Sequence, residues 1–460
     1  MKRILIPIVG QGSVTHLIRS GIAENMREFC EPIFIFLWSQ EDLINELKSK
    51  NFETYFIPEY KVSNRYISVR SKINVWYQYK ILKTPGTEIQ RKFLSQYLSL
   101  KKRIKNNLKR SFQHVLFSFN PPLIKTLIEE EKKIIKQQPS YSIYEKFITD
   151  LNADGLFTVT PFYHEVELLA RICKEKYLPI IASIHSFDNI TKRGWPALFF
   201  DHYFVWNKNN KSELQRINPT LADKITIAGA PQMDFHFKKN FVQTKEEWLK
   251  LLNLPAQKKI ILYGGGPVSL FPNEPQYLKH LLEALEKNLI EDSVILFRCH
   301  PLDKLERWKK YVGESSFIFF DSAPNGKEKL DYANVREEDI KKLISTLQYT
   351  DVHINLCSTM AVDGSVFNKP QIGPAYDDVN PSSKKLLRNM YYQEHYLQVI
   401  HSGAVHLADS KKQLIQLVNM ALLNPEMFTK NCRQCVEEII TYTNGMAAWR
   451  VSQKLKKFFS

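Results

Sequence analysis

Two stretches of this chain alternate short apolar runs with amphipathic helical patterns, and no other feature of the sequence constrains the fold as strongly. In the first stretch, the apolar runs at 3–9 and 155–160 are each followed by a helical pattern. In the second, the run at 259–263 is followed by a helical pattern and then by another run at 293–298. A repeated strand–helix–strand order predicts parallel strands joined by right-handed crossovers. We therefore expect an α/β protein with two doubly wound domains.

The length of the chain requires more than one hydrophobic core. It has 460 residues, whereas a single core stops growing at roughly 250–300 residues. The strand pattern breaks at Gly229, so we place one Rossmann-like domain at residues 1–229 and a second at 230–443. Residues 444–460 form a separate C-terminal segment with an amphipathic, basic helical pattern.

Residues 65–145 interrupt the first domain with a pattern that is helical and basic. Apolar residues recur there at spacings of three and four, which predicts helices with one apolar face. Basic residues flank that face, among them Lys101, Lys102, Arg103 and Lys105. Such a helix either docks on an anionic membrane surface or packs inward and leaves its lysines in water, and the sequence leaves both alternatives open.

The net charge of +16 favours an anionic partner. Nucleic acid is not the partner we expect, because the sequence has neither an RNP-like aromatic motif nor a helix-turn-helix pattern. Phosphorylated small molecules and anionic lipids remain as partners that a basic surface would attract.

Several common motifs are incomplete. Gly10 and Gly12 follow the first strand, but Thr15 stands where a dinucleotide-binding fingerprint has its third glycine. Cys432 and Cys435 form a single close pair, and a zinc ribbon needs a second one. We therefore expect no bound cofactor and no metal. The sequence shows no signal peptide and no run of about 18 apolar residues, so we expect a cytoplasmic protein.

Small or polar residues follow the predicted strands of the second domain. They are Gly264, Gly265, Gly266, His300, Ser358, Thr359, Asp377 and Asp378. Because the carboxyl ends of parallel strands meet at one edge of a sheet, we expect their loops to converge there on a ligand. The glycines would let the backbone approach a phosphate, and Ser358 and Thr359 open a helix whose free N–H groups favour one. His300 would donate a hydrogen bond to a diphosphate, and Asp377 or Asp378 would accept from ribose hydroxyls.

Three segments of the second domain carry a resemblance to a known superfamily: 296–301, 355–361 and 368–372. They resemble the donor half of bacterial GT-B glycosyltransferases, notably the sialyl- and Kdo-transferases with a His-Pro motif and a Ser-rich motif. The related CDP-glycerol glycerophosphotransferases of teichoic acid synthesis look similar. The resemblance implies a GT-B fold, with two Rossmann-like domains facing across a cleft. It also implies that His300, Ser358 and Thr359 contact the donor phosphate, and it places Arg298 in the donor site.

A second resemblance covers 185–194, 200–206, 229–232 and 444–450. These segments are similar to the end of the N-terminal domain, and to the last helix, of uncharacterised members of the same superfamily. The resemblance implies that the helix in 444–460 crosses back to the N-terminal domain.

The catalytic base is left open between three residues. A base in the first domain would take the proton of the acceptor hydroxyl. Asp188 and His185 follow a predicted strand, and His16 opens the first predicted helix, from about Thr15 to Phe29. Gly10, Gly12 and Asn189 are predicted to line the acceptor side.

We therefore predict a glycosyltransferase that moves a sugar from a nucleotide-sugar donor to a hydroxyl of a cell-surface glycan or lipid-linked precursor. The reaction is expected to be inverting and metal-independent, with the nucleotide-sugar as substrate rather than cofactor. The alternatives are a CDP-glycerol-type glycerophosphotransferase, a nucleotide-sugar epimerase of the same fold, and a basic membrane- or nucleic-acid-binding protein. We expect a cytoplasmic enzyme at the inner membrane face, held there by the basic surface.

Overall fold

The computed structural model describes residues 1–37, 40–57, 62–119, 122–301, 303–321 and 334–460. These residues fall into two compact units. The first unit contains residues 1–87, 97–232 and 446–460, and the second contains 88–96 and 233–445. Within the described residues, no helix is both long and apolar enough to cross a membrane.

The first unit is built on a seven-stranded sheet in which every neighbouring pair of strands is parallel. Its strands are β1 (Lys2–Ile8), β2 (Cys30–Phe36), β3 (Glu53–Phe56), β4 (Gly155–Thr158), β5 (Ile180–Ser183), β6 (His202–Val205) and β7 (Ile225–Ile227). Their order in the sheet is β3-β2-β1-β4-β5-β6-β7. The chain therefore reverses direction across the sheet between β1 and β4, where ligands bind in doubly wound folds.

Helices follow most of these strands. They are α1 (Gln11–Ser13), α2 (Ile22–Met26), α3 (Glu41–Ser49), α4 (Asn64–Tyr77), α5 (Gly86–Ser95), α6 (Leu100–Phe119), α7 (Pro122–Lys136), α8 (Pro139–Asp150), α9 (His164–Glu175), α10 (Asn189–Lys192) and α11 (Lys208–Ile217). The stretch 65–145 spans most of α4 to α8. Residues 88–96, which include all but the first two residues of α5 and end one residue beyond it, belong to the second unit.

The prediction of one continuous helix from about Thr15 to Phe29 is wrong. The chain forms α1, then a π-helical stretch at Val14–Arg19, and then α2. Gly21 lies between the last two with φ of 88°, a left-handed conformation that ends a helical segment and that glycine adopts at little cost. His16 is therefore placed on a π-turn, a local geometry that is frequent at functional sites.

The second unit repeats the architecture with a six-stranded parallel sheet. Its strands are β8 (Lys259–Gly264), β9 (Ser293–Arg298), β10 (Ile318–Asp321), β11 (Val352–Asn355), β12 (Gln371–Pro374) and β13 (Val405–Ala408). The order is β10-β9-β8-β11-β12-β13, so the reversal lies between β8 and β11. The predicted fold class, two doubly wound Rossmann-like sheets, is confirmed.

The helices of the second unit cover both faces of its sheet. They are α12 (Lys245–Leu251), α13 (Pro275–Glu286), α14 (Leu305–Val312), α15 (Glu337–Tyr349), α16 (Met360–Val366), α17 (Lys384–Met390), α18 (Leu397–His401), α19 (Lys411–Leu423), α20 (Glu426–Thr429) and α21 (Cys432–Ile440). The last helix, α22 (Ala447–Phe459), belongs to the first unit, where Val451, Leu455 and Phe459 are fully buried in the core that contains β1.

A buried charge network fastens α4 to the rest of the first unit. Arg70 on α4 donates to Glu131 on α7 at 2.5 Å and to Glu167 on α9 at 3.0 Å. Its guanidinium also donates to the backbone carbonyl of Trp195, and all three charged side chains are at least nine-tenths buried. Asn74, one turn further along α4, accepts the backbone N–H of Trp195 at 2.6 Å. The insertion is thus packed through satisfied polar contacts onto the segment that follows α10.

Replacing Arg70 with Met is expected to destabilise the protein by about 3–5 kcal/mol, because the Glu131 carboxylate would remain buried without its cation and Glu167 would keep only Arg171, at 3.3 Å. The matched control is Arg65→Met, since Arg65 pairs with Glu130 at 3.0 Å but is 67% exposed. Exposed pairs contribute about 0–1 kcal/mol. Urea unfolding of the three proteins measures both effects, and equal losses in the two variants would contradict the network's importance.

Candidate functional site

Four loops meet at the carboxyl edge of the second sheet. These edge loops are residues 264–267 after β8, 299–301 after β9, 356–359 after β11 and 375–380 after β12. The Gly265 N–H donates to the Arg298 carbonyl at 2.9 Å, which ties the first loop to the second. The Asn273 amide, a few residues beyond the first loop, donates to the Asp377 carboxylate at 3.0 Å. The parallel strands place the four loops at the same edge of the sheet, and their convergence on a ligand stays a prediction.

The three glycines of the first edge loop have no room for side chains. A Cβ atom would lie 2.7 Å from the Met360 sulfur at Gly264, 2.9 Å from the Trp308 ring at Gly265 and 2.9 Å from the Phe271 ring at Gly266. Any larger residue would displace these neighbours. Close packing therefore requires the glycines, whether or not their backbone also approaches a ligand.

A buried carboxyl group holds the glycine loop in place. Glu274 is 1% exposed and accepts the Gly266 N–H on both of its oxygens, at 3.0 and 2.8 Å. The Tyr263 hydroxyl donates to the same group at 3.4 Å. Burial raises the pKa of Glu274 to about 8, although the Gly266 N–H works in the opposite direction. Glu274 thus fixes the backbone of the first edge loop from beneath.

Ser358 and Thr359 lie at the start of α16. The Ser358 hydroxyl accepts the Met360 N–H at 3.2 Å, and the Ser358 carbonyl accepts from the Tyr396 hydroxyl at 3.3 Å. Thr359 is exposed. Cys357, just before them, has φ of 44°, a left-handed conformation that is uncommon for a residue other than glycine. This turn sets the direction in which the two hydroxyl residues leave the sheet.

Arg298 and His300 follow β9 but differ in their surroundings. The Arg298 guanidinium is paired with Asp321, which lies opposite it in the register of β9 and β10. Asp321 is 1% exposed and also pairs with Lys342 at 2.8 Å. Arg298 therefore has a structural partner that the sequence motif did not show. His300 is half-buried, and burial lowers its pKa while the Asp303 carboxylate opposes the shift.

The two aspartates after β12 have different environments. Asp377 is 3% exposed and accepts from Gln276 at 3.1 Å, Asn380 N–H at 2.9 Å and the Ser383 hydroxyl at 2.9 Å, in addition to Asn273. Its oxygens are thus engaged within the protein. Asp378 is exposed, and its carboxylate lies 3.8 Å from the His280 ring nitrogen. Of the two, Asp378 is the carboxylate accessible to a ligand.

A cluster of buried and half-buried polar side chains lies at the carboxyl edge of the first sheet. We call it the histidine cluster, and its members are His16, Ser183, His185 and Gln232. His16 is fully buried, and its Nε2 shares a hydrogen bond of 2.9 Å with the Ser183 hydroxyl at the end of β5. The rings of His16 and His185 meet edge to face with centroids 6.1 Å apart. The structure therefore brings together two residues that are far apart in sequence.

His185 is held by its backbone and by its neighbours. Gln232 donates its amide to the His185 carbonyl. A Cβ atom at Gly12 would lie 2.6 Å from His185 Nε2, so glycine at position 12 makes room for the imidazole. Nδ1 of His16, Nδ1 of His185 and Oε1 of Gln232 are buried and have no hydrogen-bond partner in the described structure. Unpaired buried polar atoms of this kind are costly, and their concentration here makes the cluster a candidate functional site.

Both histidines are kept neutral. Burial lowers the pKa of His16 to about 3, and the neighbouring His185 charge adds to the shift. Burial also lowers the pKa of His185 to about 4, against the attraction of Asp188. At neutral pH each ring therefore has one nitrogen that accepts a proton or a hydrogen bond.

The other residues predicted for the acceptor side lie around this cluster with structural contacts of their own. The Asp188 carboxylate accepts from the Asn189 amide at 3.0 Å and pairs with Lys192 at 3.4 Å. Asn189 is 8% exposed and begins α10. The Gly10 carbonyl accepts the Ser13 N–H at 2.9 Å and so starts α1.

The predicted membrane contacts, Lys101, Lys102, Arg103 and Lys105, are all exposed on α6. In the part of the chain that the structure describes, no group of three or more His, Cys, Asp or Glu side chains is arranged to hold a metal ion.

Residues 186–457 match the model of the CDP-glycerol:poly(glycerophosphate) glycerophosphotransferase family. This match covers more than half of the chain and contains all four edge loops. The chain belongs to the glycerophosphotransferase family. No curated protein sequence matches it.

Solved structures with the GT-B fold resemble this glycerophosphotransferase-family chain over nearly its whole length. S. aureus MnaA with UDP has a TM-score of 0.57 at 11% identity, over 100% of this chain and 97% of that one. The UDP-GlcNAc 2-epimerase from Methanocaldococcus jannaschii has a TM-score of 0.55 at 14% identity, over 99% and 100%. The wall teichoic acid polymerase TagF, in a variant structure with CDPG, has a TM-score of 0.51 at 14% identity, over 100% and 88%. At these identities the likeness shows the fold alone.

Three residues of these two sites were not predicted from the sequence of this family member: Ser183, Gln232 and Glu274. Ser183 ends a buried strand and Gln232 follows the break at Gly229, so both carry a weak positional signal. Glu274 comes just before a helical pattern, where an acidic residue is ordinarily a solvated part of the first turn. Only its burial beneath Gly266 shows the different role.

The neutral histidines predict that the protein loses stability in acid. The pKa of His16 is about 3 in the folded protein and 6.5 in the unfolded one, so between these pH values only the unfolded state binds the proton. The free energy of unfolding is therefore highest above pH 6.5 and declines as pH falls towards 3. For His16 the loss between pH 6.5 and 5 is on the order of 1–2 kcal/mol. Urea unfolding at pH 7.5 and 5.0 should show a smaller pH dependence for His16→Gln than for the wild type.

The control is His401→Gln, at an exposed position on α18. It should keep the wild-type difference between the two pH values. An unchanged pH dependence in His16→Gln would show that His16 is not the buried neutral group described above.

Proposed function

We propose that this protein transfers glycerophosphate from CDP-glycerol to a hydroxyl group of a cell-surface polymer or its lipid-linked precursor. The match to the glycerophosphotransferase family over 186–457 carries this proposal, because it contains every edge loop of the second unit. We place the reaction in the cytoplasm, at the inner membrane face.

The second unit holds the donor in this proposal. The start of α16 offers the Ser358 and Thr359 hydroxyls, and the glycine loop, whose Gly265 and Gly266 N–H groups donate within the protein, is held in place by Glu274. Donors of this kind stabilise phosphate oxygens, which carry the developing negative charge in the transition state. His300 donates a hydrogen bond to the departing nucleotide, and Asp378 accepts from the ribose.

The reaction balances without an additional reactant. The acceptor oxygen attacks the phosphorus that bears the glycerol, and a new P–O bond forms. The bond from that phosphorus to the bridging oxygen of the diphosphate breaks, and CMP leaves with the electron pair. The proton of the acceptor hydroxyl passes to a general base.

His185 is the base that the local geometry favours among the three candidates. It is neutral at pH 7 and half-buried, and its Nδ1 has no hydrogen-bond partner in the described structure. His16 is fully buried and already bonded to Ser183. Asp188 is paired with Lys192 and Asn189. We therefore assign proton transfer to His185 and a supporting role to His16.

Sugar transfer is the second candidate function. The order of His300-Pro301 and Ser358 in the chain resembles the sialyl- and Kdo-transferases, in which the acceptor attacks carbon rather than phosphorus. The two candidates share the donor site described above and differ in the donor and in the bond that breaks.

Donor identity can be tested by thermal unfolding with nucleotides and activated donors linked to CMP, CDP, UDP, GDP and ADP. A ligand at about 100 times its dissociation constant adds roughly 2.7 kcal/mol of stability. CDP-glycerol should stabilise the wild type most, and His300→Ala should weaken this effect. His401→Ala should leave it unchanged.

Stabilisation by one family of nucleotide-sugars, and not by CDP compounds, would replace glycerophosphate transfer with sugar transfer. Donor turnover by the protein without any acceptor would favour an epimerase. If none of the compounds stabilises the folded protein, the nucleotide-donor proposal is wrong.

The base can be tested by the rate of CMP release from CDP-glycerol with a poly(glycerophosphate) acceptor. Proton transfer by a positioned side chain contributes about 10²–10⁴-fold to a rate. His185→Asn should lower kcat by at least about 100-fold while donor binding is retained. Asp188→Asn should have a smaller effect. A His185→Asn enzyme with near wild-type kcat would remove His185 from this role.

A further inference from the structure

The C-terminal half of helix α6 packs on the first unit. Phe117 is 4% exposed and lies in the core of the unit. Arg110 donates to the Tyr79 hydroxyl at 3.0 Å and to Gln78 at 2.9 Å, and the His114 ring packs edge to face on Tyr79. By contrast, every residue from 97 to 109 is exposed. The N-terminal half of α6 therefore projects from the surface.

The projecting helix has an apolar stripe that nothing in the described structure covers. The stripe consists of Leu100, Ile104, Leu108, Phe112 and Val115, which are 61%, 50%, 67%, 68% and 52% exposed. Spacings of four and three place these side chains on one face of a helix. No other helix in the described ranges has more than two large apolar residues this exposed. The alternative in which the helix packs its apolar face inward is therefore wrong.

The rest of the helix surface is strongly basic. Leu100–Phe119 contains six basic residues and no acidic one. They are Lys101, Lys102, Arg103, Lys105, Lys109 and Arg110. Lys101 and Lys105 border the stripe and the other four lie on the opposite face, so apolar and cationic side chains share the same helical turns.

This combination selects one kind of partner. A second copy of the chain would bring two cationic helices together, and like charges at that distance repel. Nucleic acid would satisfy the lysines but leave the apolar stripe in water. An anionic bilayer satisfies both, because the stripe enters the boundary between headgroups and acyl chains while the lysines contact lipid phosphates.

We propose that α6 is a membrane-docking helix that inserts its apolar stripe into the surface of an anionic bilayer. The attachment is peripheral and depends on both faces of the helix. It does not depend on which donor the enzyme uses, so it stands or falls separately from the proposed function.

The test is flotation of the full-length protein with vesicles of phosphatidylcholine alone or mixed with phosphatidylglycerol. The wild type should bind the mixed vesicles and not the neutral ones, and binding should weaken as salt rises. Each basic residue near an anionic surface contributes about 1 kcal/mol. Substituting Lys101, Lys102, Arg103 and Lys105 with Gln should therefore weaken binding by at least about tenfold.

A second variant removes the stripe: Leu108→Ser with Phe112→Ser. It should also weaken binding by about tenfold or more, because two exposed apolar side chains no longer enter the bilayer. The matched control is Met420→Ser with Leu423→Ser, which changes two exposed apolar residues on α19. Circular dichroism and donor-dependent thermal stabilisation should be unchanged in all variants, which separates this result from any failure of the donor proposal.

Three outcomes would overturn the proposal. The first is that the wild type fails to float with phosphatidylglycerol vesicles, or binds neutral vesicles equally well. The second is that the variant lacking Leu108 and Phe112 floats as the wild type does, which would show that no insertion occurs. The third is that sedimentation without vesicles shows a dimer that these substitutions dissociate. That result would make a second copy of the chain the partner of the stripe.

Discussion

The parallel pairing of β8 with β11 determines most of what the second unit can do. In the register of these strands, Gly264 lies opposite Asn355, so the glycine loop and the turn at Ser358 leave the sheet side by side. Neighbouring strands in a sheet are about 4.8 Å apart, and groups on the two adjacent loops therefore lie close together. Parallel strands are joined by crossovers. The chain continues from β8 to β9 on one side of this pair and from β11 to β12 on the other side. The equivalent pairing of β1 with β4 lies at the centre of the first sheet.

Burial controls the chemistry of both carboxyl edges. It keeps His16 and His185 neutral by disfavouring their charged forms, and it raises the pKa of Glu274 to about 8. The two imidazole rings therefore stay neutral at pH 7, whereas at Glu274 the Gly266 N–H, which donates to both carboxyl oxygens, opposes the effect of burial on the pKa. The same desolvation is tolerated at Asp321, whose pKa stays low, only because Arg298 and Lys342 pair with it.

The helical insertion contains two arrangements that each cost free energy: charged side chains that are buried, and apolar side chains that are exposed to water. At α4, charged side chains are buried and fully paired, with Arg70 bridging two carboxylates and a backbone carbonyl. At α6, the five apolar side chains of the stripe are exposed, and no apolar surface within the described ranges covers them. Buried charges that are paired fasten an element to its domain. An exposed apolar stripe, in contrast, is typical of a surface that binds a partner.

The sequence by itself determined the alternation of strands and helices, and therefore the two parallel sheets and the positions of residues such as Gly264, His300 and Ser358 at strand ends. That information is local, because a strand end can be read from the few residues around it. Tertiary structure alone decided the partners of these residues. Arg298 pairs with Asp321, His16 meets His185, and Asp377 is enclosed by donors from the segment after β8. It also decided that α6 leaves its apolar face in water, since a helical pattern shows which residues share a face but not what that face contacts.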